Sequence, residues 1–378
     1  MKRLLDIRYG LCCVCFFTLL FSCREQMPAE GEWEPETFTL NYILPDTEVG
    51  GGLVPGNEVN AGAERTTRSG VTPIARPVES KISSVTLLFF EQDDYGNGLF
   101  CGRIDGTAQG DHLANAGSVT FTMGGGIDND TDYNVLAIAN ADAYFSSADY
   151  LQTYCQGKTE NEVRLQLTGT MPHDAKKRYS IPEPGLPMSG IAVKEAGKDL
   201  TVNLLRAAVR IDVRVADAKK DEIILTGATL RNASARVPVF NDPKDRDAVM
   251  LAYQPVVSSE ENAIIGGLYL TETFRTGFAG DAPLRSRQAS CLLVSCHNKD
   301  YTGTRTWYRA DININDEGTQ YLRRNNAYTV EISRIKSLGA ETPDEAYQSD
   351  ATLIKAVTIP TEWNTPEGVV TPPEVDIQ

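Results

Sequence analysis

The stretch Val209-Arg210-Ile211-Asp212-Val213-Arg214-Val215 alternates β-branched apolar residues with charged ones over seven positions. Successive side chains of a strand point to opposite faces. This period of two therefore predicts a buried face of Val209, Ile211, Val213 and Val215 and a wet face of Arg210, Asp212 and Arg214. Similar signals recur on both sides of it. Residues 80–90 end in a near-continuous apolar run, Val119-Thr120-Phe121-Thr122-Met123 alternates, and residues 133–139 are apolar on both faces. Val163, Leu165 and Leu167 also follow at period two, and turn-forming residues occupy 124–132. Residues 182–190 form a Pro/Gly-rich break, and beyond 215 strand-like runs cover 222–230, 264–270, 290–295, 306–314, 327–335 and 352–359. Short strands separated by turns, with room for one short helix over 142–158, predict an all-β chain built of β-sandwiches.

The length of 378 residues fits two domains with proper cores, with a boundary near residue 200. A formal charge of -15 argues against a nucleic-acid partner, because a phosphate backbone is repelled by such a surface. His112, His173 and His297 stand apart in sequence and leave little material for histidine-based catalysis. Asp128, Asp130 and Asp132 begin like a calcium loop, but Tyr133 sits where Gly is needed and Ala139 where the bidentate Glu belongs. Gly124-Gly125-Gly126 reads as a turn, and neither GxSxG nor HExxH occurs. No catalytic residue, cofactor or metal is indicated, and the expectation is a protein that is not an enzyme.

The first residues read as an export signal. Lys2, Arg3 and Arg8 precede an apolar run from Leu11 to Phe21 that is too short to span a ~30 Å hydrocarbon core. It ends at Leu20-Phe21-Ser22-Cys23, which resembles a lipoprotein lipobox although Phe21 is bulky for its place. Residues 1–22 are thus the expected signal peptide, with Cys23 as the lipidated N-terminus. Their removal takes away three basic and one acidic residue and leaves a charge of -17. Cys12, Cys13 and Cys15 leave with the signal. The remaining Cys101, Cys155, Cys291 and Cys296 allow three disulfide connectivities, and none has zinc-like spacing. Cys291 and Cys296 would point to opposite faces of a straight strand, which argues against a bond between them.

Residues 23–78 form a segment rich in Gly, Pro, Glu and Asn with one amphipathic island. In Thr37-Phe38-Thr39-Leu40-Asn41-Tyr42-Ile43-Leu44 the residues Phe38, Leu40, Tyr42 and Leu44 share one face at period two, the mark of a strand with one buried side. A loop-like stretch follows, and then Arg65, Arg68 and Arg76, in what reads as an exposed, cuttable linker. The alternative is a plain spacer between membrane and body, which leaves the amphipathic island without a purpose.

The order of these segments resembles the FimA-type fimbrillins, the lipoprotein precursors of Bacteroidetes type V pili and their anchor and tip relatives. Carrying the resemblance are Cys23, the run Lys81-Ile82-Ser83-Ser84-Val85-Thr86-Leu87-Leu88-Phe89-Phe90, and Tyr133-Asn134-Val135-Leu136-Ala137-Ile138-Ala139-Asn140. Further carriers are Leu186-Pro187-Met188-Ser189-Gly190, Leu205-Arg206-Ala207-Ala208-Val209-Arg210-Ile211, Trp307-Tyr308-Arg309, Arg324-Asn325-Asn326-Ala327-Tyr328-Thr329-Val330-Glu331-Ile332 and the late Trp363.

The resemblance implies two transthyretin-like β-sandwich domains in tandem, at residues 79–200 and 201–378. It implies a precursor carried to the outer membrane by lipid on Cys23. There a trypsin-like arginine-specific protease would cut at Arg65, Arg68 or Arg76 and remove the strand of Phe38, Leu40, Tyr42 and Leu44. A neighbouring pilin subunit's C-terminal tail would then fill the groove by β-strand addition. In this chain the corresponding tail is residues 368–378, where Val369, Thr371, Pro373, Val375 and Ile377 share a face. Pro372 and Pro373 depart from a good strand because each lacks a donor N–H; the alternative is a frayed terminus. Candidates for both the removable strand and the donor tail favour a stalk or accessory subunit of a cell-surface fimbrium that supports adhesion. A tip adhesin, an anchor subunit, or a monomeric surface lipoprotein that binds glycan or host protein through Trp33, Trp307 or tyrosines are the other readings.

Overall fold

A computed structural model describes residues 36–45, 77–108, 116–146, 148–171, 185–240, 250–251, 256–257, 262–278, 288–315, 317–349 and 351–362. The first half of the chain contributes β1 (Thr37–Ile43), β2 (Ser84–Glu91), β3 (Phe100–Thr107), β4 (Ala116–Thr122), β5 (Tyr133–Ala139), β6 (Thr168–Thr170), β7 (Met188–Lys194), β8 (Leu200–Asn203) and β9 (Leu205–Arg206). One sheet has the order β4-β1-β8 and a second the order β3-β2-β5-β7-β9. Between them lies a core in which Phe38, Leu40, Tyr42, Val119, Phe121, Leu200 and Val202 meet Val85, Leu87, Phe89, Val135, Ala137 and Met188.

The five-stranded sheet is covered on its other face as well. Leu88, Phe90, Leu136 and Ile138 pack there with Leu151, Cys155, Val163 and Leu167, and with Val239 and Phe240 from farther along the chain. Burial on both faces explains why residues 133–139 carry no polar alternation. The helix expected within 142–158 is present as Ala148–Cys155.

Three readings of the sequence need correction. Val163 and Leu165 lie not in a strand but in the helix Glu160–Gln166, with Leu167 as its C-cap. Thr159 caps its N-terminus by accepting from the Glu162 amide, while the Glu162 carboxylate accepts from the Thr159 amide at 2.9 Å. Val163 and Leu167, four apart, share the buried helix face, whereas Leu165 is 60% exposed. Residues 188–190, read as part of a break, open β7. The third is the outer face of the strand Val209–Val215, where Arg210 and Asp212 are buried.

The second half contributes β10 (Val209–Val215), β11 (Ile223–Arg231), β12 (Ala233–Ser234), β13 (Arg236–Pro238), β14 (Met250–Leu251), β15 (Val256–Val257), β16 (Ala263–Leu270), β17 (Thr273–Arg275), β18 (Cys291–Asn298), β19 (Trp307–Asp311), β20 (Gln320–Leu322), β21 (Asn326–Ile335) and β22 (Ile354–Glu362). Two four-stranded sheets, β16-β10-β21-β22 and β15-β11-β18-β19, enclose the second large core. Val209, Ile211, Val213 and Val215 fill it as their alternation predicts. The opposite face of β10, expected to be wet, is not. Arg210 is 0% exposed and Asp212 is buried, while Arg214 is half-exposed and pairs with Glu331. Charge pairing takes the place of water there: Arg210 Nη1 lies 3.0 Å from Glu79 Oε2, and Arg210 Nε donates to Asp212 Oδ2 at 3.1 Å.

β8, which begins at residue 200, pairs with β1, and β9 pairs with β7. A short strap, β13, returns to pair with β6 and places Val237 beside Tyr144, Met171 and Ala207. On β18, Cys291 packs with Leu293 and Ala346, and Cys296 enters the larger core, so the two face opposite ways as their spacing demands. Cys101, Cys155, Cys291 and Cys296 are all unpaired thiols.

Candidate functional site

β1 is the middle strand of its sheet. It runs antiparallel to β4 from Thr37↔Thr122 to Ile43↔Ala116, and parallel to β8 from Leu40↔Leu200 to Ile43↔Asn203. Its period of two sends Phe38, Leu40, Tyr42 and Leu44 inward, and all four are buried. The Phe38 ring stacks on Phe121 with centroids 5.4 Å apart and meets the edge of Phe89 at 6.3 Å. Lys194 Nζ lies 5.5 Å from the same ring. Tyr42 lies opposite Gly117 in the β1–β4 register, where a Cβ on Gly117 would come within 2.3 Å of the Tyr42 hydroxyl oxygen. Glycine is therefore required beneath that ring. Burial raises the Tyr42 phenol above its ordinary pKa.

Polar groups grip both ends of β1. Near its start, the Thr39 amide donates to Asp199 Oδ1 at 2.8 Å. Lys194 donates to Asn129 Oδ1 at 2.9 Å and to the Glu195 carbonyl at 2.8 Å. Burial lowers the Lys194 pKa, and the charges of Asp199 and Asp132 oppose that shift. At its end, the Leu204 amide donates to the Ile43 carbonyl at 2.9 Å, and Asn325 Nδ2 donates to the Pro45 carbonyl at 2.9 Å.

The chain after position 76 is held by charge. Glu79, on the short helix Pro77–Ser80, is fully buried; its carboxylate takes the Arg210 ion pair and a short hydrogen bond from the Tyr269 hydroxyl. Asp212 accepts from the Gly266 amide at 2.9 Å; burial raises its pKa and the Arg210 charge works against that rise.

Of the residues singled out in the sequence, Phe38, Leu40, Tyr42 and Leu44 come together in one core. Cys23, Arg65, Arg68, Arg76, Val369, Thr371, Val375 and Ile377 lie outside the described residues, as do Trp33 and Trp363. Trp307 is half-buried against the Cys291 cluster. Among the described residues, no group of His, Cys, Asp and Glu gathers that could hold a metal ion, and no helix is long and apolar enough to cross a membrane. Sequence reasoning assigned no role to Glu79, Lys194, Asp199, Arg206 or Asn325. Arg206 and Asn325 stand inside stretches singled out for their resemblance, but nothing in their spacing reveals that they meet.

No protein-family model matches the sequence, and none of the curated proteins does. Solved structures do. The tip fimbrial protein Mfa3 from Porphyromonas gingivalis, with a C-terminal truncation, is similar at 13% identity over 87% of this chain and 100% of that one, with a TM-score of 0.48. A fimbrial assembly protein from Parabacteroides distasonis is similar at 11% identity over 79% and 92%, TM-score 0.41. The fimbrial anchor protein Mfa2 from Porphyromonas gingivalis gives 12% identity over 88% and 99%, TM-score 0.35. By their names these three solved structures are fimbrial proteins.

Proposed function

We propose that this chain is a structural subunit of a cell-surface pilus, exported as a lipoprotein through Cys23 and localised to the outer membrane until it is assembled. A trypsin-like, arginine-specific protease cuts at Arg65, Arg68 or Arg76, β1 leaves, and a strand from another pilin subunit takes its place. The tail carrying Val369, Thr371, Val375 and Ile377 is the strand this chain would offer in turn. The observation that carries this reading is the position of β1, a central strand hydrogen-bonded on both sides and followed by 46–76, with three arginines, before the strands it packs on. Its departure would leave the edges of β4 and β8 without partners, and such edges accept strands.

The magnitudes suit a durable joint. Four apolar side chains buried at roughly 1.5–3 kcal/mol each give on the order of 10 kcal/mol gross before ordering costs. Main-chain bonds add ~0.5–1.5 kcal/mol each. Limited trypsin treatment followed by N-terminal sequencing and sizing tests the reading. A single cut between Arg65 and Arg76, followed by oligomer ladders that survive mild denaturant, is the expected outcome. A cut chain that stays monomeric would refute self-assembly. Deleting residues 368–378 is expected to leave a folded monomer that cannot elongate, and unchanged polymerisation would remove the tail's role.

A further inference from the structure

Two fully buried residues, Arg206 and Asn325, join the two ends of the segment 46–76 at one point. Asn325 Oδ1 accepts from Arg206 Nη1 at 3.1 Å and from the Arg206 amide at 3.3 Å. Arg206 Nε donates to the Glu79 carbonyl at 2.9 Å, and its Nη2 donates to Ser80 Oγ at 3.0 Å. Asn325 Nδ2 donates to the Pro45 carbonyl at 2.9 Å. Asn325 is left-handed, with φ 55°, and its own amide donates to the Ala208 carbonyl at 2.8 Å, so its side chain is fixed from both directions.

The two grips are unequal. The 79–80 side is held by a guanidinium, by the buried Glu79–Arg210 ion pair and by Tyr269. The Pro45 side meets the hub through the amide of Asn325. Scission between them would leave residues 77–80 in place and free β1 to go. The Asn325 amide would then face the end of an empty groove, oriented and with its carbonyl partner gone. A buried donor in that position costs free energy until another acceptor arrives.

We infer that Asn325, positioned by Arg206, is a receptor for the backbone carbonyl that ends a strand seated in the β1 groove, and so fixes the register of the segment that replaces β1. The partner it suits is an extended peptide segment of a second chain, with apolar residues at alternate positions and a free carbonyl one residue beyond the last of them. A slip of one residue would turn every inward side chain outward, so one carbonyl receptor at the groove's end is enough to specify the seating. The inference rests on strand exchange at β1.

The test uses the exported full chain, cut in 46–76 and freed of β1, with two synthetic peptides: Glu36–Leu44 amide and Glu36–Pro45 amide. They differ by Pro45 and its carbonyl. Asn325→Asp keeps an acceptor for Arg206 and tolerates the left-handed backbone but removes the donor. Asn325→Gly keeps the backbone and serves if the first variant folds poorly. Adding Pro45 is expected to tighten binding to the unsubstituted protein about tenfold, in line with one net hydrogen bond, and less than twofold in either variant. An equal gain in all three proteins overturns the receptor while leaving strand exchange intact. Failure of both peptides to bind the unsubstituted groove overturns strand exchange, and the receptor with it.

Discussion

Gly117 and Tyr42 make the sharpest residue-scale demand in the groove, because a Cβ at 117 would lie 2.3 Å from the tyrosine oxygen and 2.6 Å from its Cζ. Gly117→Ala is expected to destabilise the intact chain by about 1–3 kcal/mol, the usual cost of overpacking. In the chain cut and freed of β1, the same substitution should cost close to nothing. Urea unfolding of both forms measures the difference, and an equal cost in both would mean that the clash is relieved elsewhere. Arg210 makes a different demand. Its guanidinium pairs with both Glu79 and Asp212, and all three side chains are buried, so Arg210→Ala strands two buried carboxylates and is expected to cost ~3–5 kcal/mol. A chemical-denaturation series that finds less than ~1 kcal/mol would show that those carboxylates take up protons without penalty.

Among the elements, those that were legible in the sequence are the ones whose pattern is local. β10, β5 and β1 announce themselves through runs of side chains that alternate or stay apolar, and the inward set of β1, from Phe38 to Leu44, was readable without any partner in view. What was not legible depends on partners distant in sequence. The outer face of β10 looks wet because three charged residues occupy it, and two of them find their partners far along the chain, Arg210 in Glu79 and Asp212 in the Gly266 amide. The helix Glu160–Gln166 was misread for another reason: Val163, Leu165 and Leu167 satisfy a period of two, and the signal that overrides it is the capping box begun by Thr159. Thr159→Ala should lower stability by about 1 kcal/mol. Thr159→Ser should restore it, since the hydroxyl rather than the methyl caps the helix. Denaturant midpoints of the two variants check this, and equal losses would assign the effect to packing. The hub of Arg206 and Asn325 was invisible because its members are 119 residues apart and neither follows a periodic pattern.

At the scale of the whole molecule, buried clusters in both halves of the chain carry thiols whose ionisation opposes folding. Cys155 lies in the first half, and Cys291 and Cys296 in the second; burial pushes each from 9.0 up to about 12. Because the folded pKa exceeds the unfolded one, the unfolded chain gives up these protons first. The stability they confer is fully present below pH 9 and is lost as the pH climbs toward 12. Each thiol contributes a slope of about 1.4 kcal/mol per pH unit inside that window, and the three together reach about 12 kcal/mol by pH 12, comparable with the usual net stability of ~5–15 kcal/mol. Tyr308, pushed from 10.0 to about 12 mainly by burial, adds to the slope above pH 10, and burial raises the Tyr42 phenol as well. The chain is therefore expected to withstand pH 8 and to unfold cooperatively between about pH 9 and 12. Urea midpoints at half-unit steps from pH 8 to 10.5 would trace the decline, and replacing Cys155, Cys291 and Cys296 together by Ala should flatten most of it below pH 10. The replacements themselves lower stability at pH 8, so the slope, and not the midpoint at any one pH, is the quantity compared. An unchanged slope in the triple variant would place the alkaline sensitivity outside the cores, in the surface charges of an already acidic chain.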